Sequence, residues 1–84
     1  MSNTTVTVLF FAAARDVTQV ASWECPYREG DTVADLRARV LDAFDSLRPW
    51  SRALRIAVDG EYAREDALVR AGAELAMIPP VAGG

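Results

Sequence analysis

The stretch of this chain that can do chemistry is its C-terminal run, Ala76-Met77-Ile78-Pro79-Pro80-Val81-Ala82-Gly83-Gly84. Pro79 and Pro80 cannot donate ladder hydrogen bonds and hold φ near one value, so they end a strand and launch the residues after them as a stiff, extended segment. Val81 and Ala82 carry no charge. Gly83 and Gly84 have no Cβ, so their backbone can thread a narrow channel while another protein's groups close around the terminal carboxylate from any side. Extended residues from Pro79 onward reach roughly 20 Å, at about 3.3 Å per residue. That length lets the carboxylate enter a partner's active site while the domain stays outside. A frayed chain end is the plainer reading, because termini are often small and disordered. Frayed tails tend to be polar, however, and fraying gives no reason for Gly-Gly so soon after Pro-Pro.

The remaining residue types exclude much other chemistry. There is no histidine and one cysteine, Cys25, so neither a zinc site nor an internal disulfide is expected, and a reducing compartment fits. All nine basic residues are arginine, which removes Schiff-base and lysine-nucleophile mechanisms and any isopeptide bond from the tail to a side chain of the same protein. A net charge of −3 argues against nucleic acid as a partner. No apolar run reaches the length of a membrane span, and Met1-Ser2-Asn3-Thr4-Thr5 lacks the basic region of a signal peptide, so a cytoplasmic location is expected. With 84 residues, 51% of them apolar, the chain suits one domain with one core.

The elements that must position the tail can be read from patterning. Thr5 to Phe11 reads as a strand with Val6, Val8 and Phe10 inward, which turns Thr5, Thr7, Leu9 and Phe11 the other way. Ala12 to Asp16 reads as a loop or short helical turn. Gln19 to Cys25 reads as a second, antiparallel strand with Ala21, Trp23 and Cys25 on one side, ended by Pro26. Thr32-Val33-Ala34-Asp35 resembles a capping box, and Val33, Leu36, Val40, Phe44 and Leu47 form the buried stripe of a helix that Pro49 stops. The charges beside that stripe, Arg39 among them, read as a solvated face. Leu54 to Val58 is a third strand, Asp59-Gly60 a hairpin turn, Glu61-Tyr62-Ala63 a short return strand. Glu74 to Ile78 is the last strand, with Leu75 and Met77 inward and Glu74, Ala76 and Ile78 outward.

A right-handed crossover through the helix places it on one face of a mixed sheet. The expected fold is α+β, a ubiquitin-like β-grasp, with residues 1–78 as the domain and residues 79–84 as a flexible tail. In such a fold the first and last strands are neighbours. Phe11 and Ile78 then share the open face near the root of the tail, with Tyr62 from the hairpin as a third member, and exposed apolar clusters on small monomers usually mark interfaces.

Phe10-Phe11-Ala12 with Arg15-Asp16 after the first strand, Thr32-Val33 with Leu36 at the helix start, Val58 with Gly60 at the hairpin, and Ile78 to Gly84 together resemble the small subunit of molybdopterin synthase, the MoaD family. The tail is the specific part. The resemblance implies a sulfur carrier that is not an enzyme on its own and binds no cofactor. Its implied partners are an E1-like, MoeB-like enzyme that spends ATP to adenylate Gly84, and a sulfur-donating enzyme that converts the adenylate to a thiocarboxylate. A third is the large, MoaE-like subunit, in a heterotetramer, where the sulfur passes to a cyclic pyranopterin precursor. It implies partner contacts through Phe11, Arg15, Tyr62, Ile78, Pro79, Pro80, Val81 and Ala82, with Gly83 and Gly84 at the reacting end. Asp16, Asp59 and Ala73 depart from the family pattern at turn or rim positions. Arg15 either pairs with an acid on a partner or is a solvated loop arginine. For Cys25, an alternating strand favours a buried, inert thiol over a sulfur relay. Two other readings stand beside this one: a carrier for thiamine or another sulfur-transfer route, and a ubiquitin-like modifier or interaction module.

Overall fold

In the computed structural model, which describes residues 4–79, alternation along β1 (Thr5–Phe10) buries Val6, Val8 and Phe10 and leaves Thr5, Thr7 and Leu9 half-buried. The other strands are β2 (Ser22–Pro26), β3 (Arg55–Val58), β4 (Glu61–Tyr62) and β5 (Glu74–Ile78), and the helices are α1 (Ala12–Thr18) and α2 (Val33–Ala43). The sheet order is β2-β1-β5-β3-β4. Only β1 and β5 are parallel, and the other pairs run antiparallel. A mixed sheet with one main helix on one face is the β-grasp that the sequence predicts.

The core lies between α2 and the inward side of the sheet. Val33, Leu36 and Val40 pack there with Val6, Val8, Ile56, Leu75 and Met77. The capping box forms as read: the Asp35 N–H donates to Thr32 Oγ1, and the Thr32 N–H donates to Asp35 Oδ2 at 2.9 Å. Asp59 and Gly60 both take positive φ, 51° and 90°, as a two-residue hairpin turn of the primed type requires. Asp59 does a second task. Its N–H donates to the Glu74 carbonyl at 2.8 Å and its side chain accepts the Glu74 N–H at 3.0 Å, tying the hairpin to the start of β5.

Three local readings are corrected. Ala12 to Asp16 belongs to a seven-residue helix, α1, rather than a loop or single turn. β2 begins at Ser22, because Gln19 closes α1 in the left-handed region (φ 66°), with its N–H on the Arg15 carbonyl, leaving Gln19 to Ala21 outside the strand and Ala21 exposed. Pro26 is the last residue of β2, as the sequence predicts. The long helix stops at Ala43, well before Pro49. Phe44 leaves helical geometry (φ −127°, ψ 77°) and sets its ring edge-on to Phe10 and Trp23, at centroid distances of 5.1 and 5.3 Å. A 3-10 segment over Asp45–Trp50 then carries Leu47 into the core and contains Pro49.

Arg39 is likewise not a solvated charge. It donates to both carboxylate oxygens of Asp31, at 2.7 and 3.3 Å, and to the Pro26 carbonyl at 2.9 Å, linking α2 to the end of β2.

Candidate functional site: the open sheet face at the root of the tail

Parallel pairing puts the C-terminal ends of β1 and β5 at the same edge of the sheet. Phe10 is the register partner of Met77, and both side chains turn into the core. The next residue on each chain alternates outward. Phe11 keeps extended backbone (φ −117°, ψ 152°) and is 46% exposed, while its carbonyl accepts the Ala14 N–H at 2.9 Å and so opens α1. Ile78 is half-buried and stands across from Arg55 on β3. Tyr62, 61% exposed, pairs with Ala57, one step along the same outward row as Arg55. The Arg55 guanidinium lies 4.5 Å from the Tyr62 ring centroid, a cation–π distance.

A row of outward side chains therefore crosses four strands in the order Phe11, Ile78, Arg55, Tyr62. The sequence placed Phe11, Ile78 and Tyr62 on this face. Phe11 and Ile78 are brought to neighbouring positions, whereas β3 separates Tyr62 from Ile78 and Arg55 fills the interval. Arg55 was missed. Alternation in Leu54-Arg55-Ile56 already turned it outward, but its juxtaposition with Ile78 needs the β3–β5 register.

The other end of the face is polar. Thr5 and Thr7 donate their hydroxyls to Glu24 at 3.0 and 2.8 Å, and Glu74 pairs with Thr7 across β1 and β5. The apolar half, Leu9, Phe11, Ala76 and Ile78, thus lies toward the tail. Pro79, assigned to the tail from the sequence, is buried at its root. Pro80, Val81, Ala82, Gly83 and Gly84 lie outside the described residues. Arg15 sits on α1, at the sheet edge where β1 and β5 end, and is exposed with no ion pair among the described residues.

Cys25 belongs to the opposite face. It is wholly buried as the partner of Val6, and burial pushes its thiol up from the ordinary value, against a smaller opposing pull from Arg39. Among the described residues no group of histidine, cysteine or carboxylate side chains is arranged to hold a metal ion, and no helix is long and apolar enough to cross a membrane.

The apolar half of the open face lies beside the end of β5, where the described chain closes on Pro79. Residues 8–84 match the ThiS family, a span that takes in the face, the root and the whole arm. The chain belongs to the ThiS family. It is 32% identical over 83 residues to a molybdopterin synthase sulfur carrier subunit from Arabidopsis thaliana, an alignment covering 99% of this chain and 86% of that one. Among solved structures it is similar to SAMP1 from Haloferax volcanii, with a TM-score of 0.84 and 26% identity over 95% of this chain and 99% of that one. It is also similar to a putative molybdopterin converting factor subunit 1 from Pyrococcus furiosus, with a TM-score of 0.83 and 26% identity over 93% and 99%.

Proposed function

We propose that this family member is the sulfur carrier subunit of a molybdopterin synthase. The observation that carries the reading is its 32% identity, over 99% of its length, to a plant protein of that name. In this reading a MoeB-like enzyme transfers AMP from ATP to the Gly84 carboxylate, releasing pyrophosphate. Adenylation is required because a carboxylate is a poor electrophile until it has a leaving group. Sulfide-level sulfur from a donor enzyme then attacks the acyl carbon and displaces AMP, leaving a thiocarboxylate. The arm enters a MoaE-like large subunit, in a heterotetramer, where its sulfur displaces an oxygen function of the cyclic pyranopterin precursor. Water then adds to the Gly84 acyl carbon and the acyl C–S bond breaks, leaving the sulfur on the precursor and a carboxylate on Gly84.

The geometry suits such a cycle. The same tail must visit two active sites, and the apolar row at its root offers both partners a common grip.

Intact-mass analysis of protein recovered from cells tests the chemistry. A fraction heavier by the difference between sulfur and oxygen is expected, and its absence from cells making molybdenum cofactor would remove the carrier reading. Restored molybdoenzyme activity in cells lacking the small synthase subunit tests the acceptor. The ThiS family match favours a second acceptor, the thiamine route, and rescue of thiamine auxotrophs alone would select it. Similarity to a small archaeal modifier protein favours a third reading, protein tagging, which predicts Gly84 in amide linkage to a target lysine.

A further inference from the structure

Beside the apolar row, the Arg55 end of β3 borders an open groove of about 250 Å³, with Arg37, Arg52, Arg55, Tyr62 and Glu65 in its walls. An adjoining depression shares Arg37, Arg52 and Glu65 and continues to Leu41 on α2. Three arginines face one glutamate there, in a chain whose net charge is −3. The local field is therefore opposite in sign to that of the whole molecule.

The three arginines are held differently. Arg37 is spent within the fold: Nε and Nη2 donate to the two oxygens of Glu65 at 3.0 and 2.6 Å, and Nη1 donates to the Ser51 carbonyl at 2.7 Å. That arrangement neutralises Glu65 and fixes the turn that bears Arg52. Arg55 is oriented by Tyr62 but has no carboxylate partner among the described residues. Arg52 is exposed and has neither an ion pair nor a side-chain hydrogen bond among them. Two guanidinium groups with ten N–H donors in all, by the inventory of about five per arginine, are thus left for an outside acceptor.

We propose that this groove docks the carboxylates of an acidic segment of the protein that covers the open sheet face. This rests on the reading of the chain as a carrier that binds a large synthase subunit. Two observations point to such an occupant. Arg55 and Tyr62 belong to both groove and face, so one partner can reach both without a gap. The track is also lined by both guanidinium and apolar surface, Leu41 at one end and Tyr62 at the other, which matches acidic side chains alternating with apolar ones. Planar guanidinium groups take carboxylates in fork geometry, and charges at the rim of an interface steer association and select partners.

Binding of the wild-type chain and of Arg52→Glu to the large subunit of molybdopterin synthase tests this, alongside NMR titration of each chain with a short glutamate–leucine peptide, its glutamine–leucine counterpart and inorganic phosphate. Arg52 touches nothing that the fold requires, so the variant should keep the wild-type spectrum. The expected result is affinity for the large subunit about tenfold weaker in the variant, mostly through slower association, with the difference shrinking at high salt. The glutamate peptide should shift the Arg52, Arg55 and Tyr62 signals in the wild type only. Equal affinities of the two chains, equal shifts with the glutamine peptide, or shifts with phosphate alone would overturn the proposal. A wild-type chain that titrates with the glutamate peptide but ignores the large subunit would instead support the groove and overturn the choice of partner.

Discussion

Ile78, the last residue of β5, stands directly across from Arg55 on β3. A cation held over an aromatic ring therefore borders the apolar anchor nearest the tail. An interface built on that relationship is apolar toward β1 and cationic toward β4.

Truncating Phe11 or Ile78 to alanine should weaken binding to both the activating enzyme and the large subunit, each by about 1–2 kcal/mol, the range of moderate interface anchors. Phe11→Ala leaves the carbonyl that opens α1 in place and removes a ring already 46% exposed, so stability should change by less than about 1 kcal/mol. Leu36→Ala is the contrasting variant. Leu36 is 0% exposed, and a cavity there should cost about 2–5 kcal/mol of stability. Melting temperatures measured beside affinities by calorimetry check this. Phe11→Ala melting as low as Leu36→Ala, with affinity unchanged, would make Phe11 a core residue.

Deleting Gly84, or extending the chain beyond it, should abolish ATP-dependent activation by the E1-like enzyme and leave the melting temperature unchanged. Pyrophosphate release, with the chain as the only acceptor, is the measurement. Unchanged release from the deleted form would place the reacting carboxylate elsewhere.

Asp31 predicts an acid-sensitive joint between α2 and the β2 end. Hydrogen bonds from Arg39 hold its carboxyl below the ordinary value of 3.8, against a smaller opposing effect of burial. A carboxyl with a depressed folded pKa binds its proton more readily in the unfolded chain. Its stabilisation is therefore complete above 3.8 and is lost as pH falls through the lower folded value. Asp31→Asn should lower the melting temperature at neutral pH, and the gap from wild type should close only in that acid window. A gap that stayed constant down to the lowest pH would show that the pair contributes through packing alone.

Cys25 should resist thiol reagents until the protein unfolds, because the thiolate is the reactive form and burial disfavours it. Alkylation followed by mass spectrometry, with and without denaturant, reads this directly. Cys25→Ala should retain sulfur transfer, and a variant that folded but lost transfer would reinstate the thiol as a relay.

Much of this molecule was legible before its structure. Local alternation assigned the two faces of β1 and β5, the capping box located the start of α2, and Asp59-Gly60 located the hairpin. Each of those signals acts through neighbours a few residues away, where sterics and backbone hydrogen bonding decide the outcome. The features that needed the tertiary structure depended on groups distant in sequence. The stripe from Val33 to Leu47 hid a change from α to 3-10 geometry, because Phe44 breaks the helix to seat its ring between Phe10 and Trp23. Arg39 reads as solvent-facing until Asp31 and the Pro26 carbonyl are brought beneath it. Arg55 came to lie between Ile78 and Tyr62 for the same reason: alternation assigns a face, but only pairing between strands assigns a neighbour.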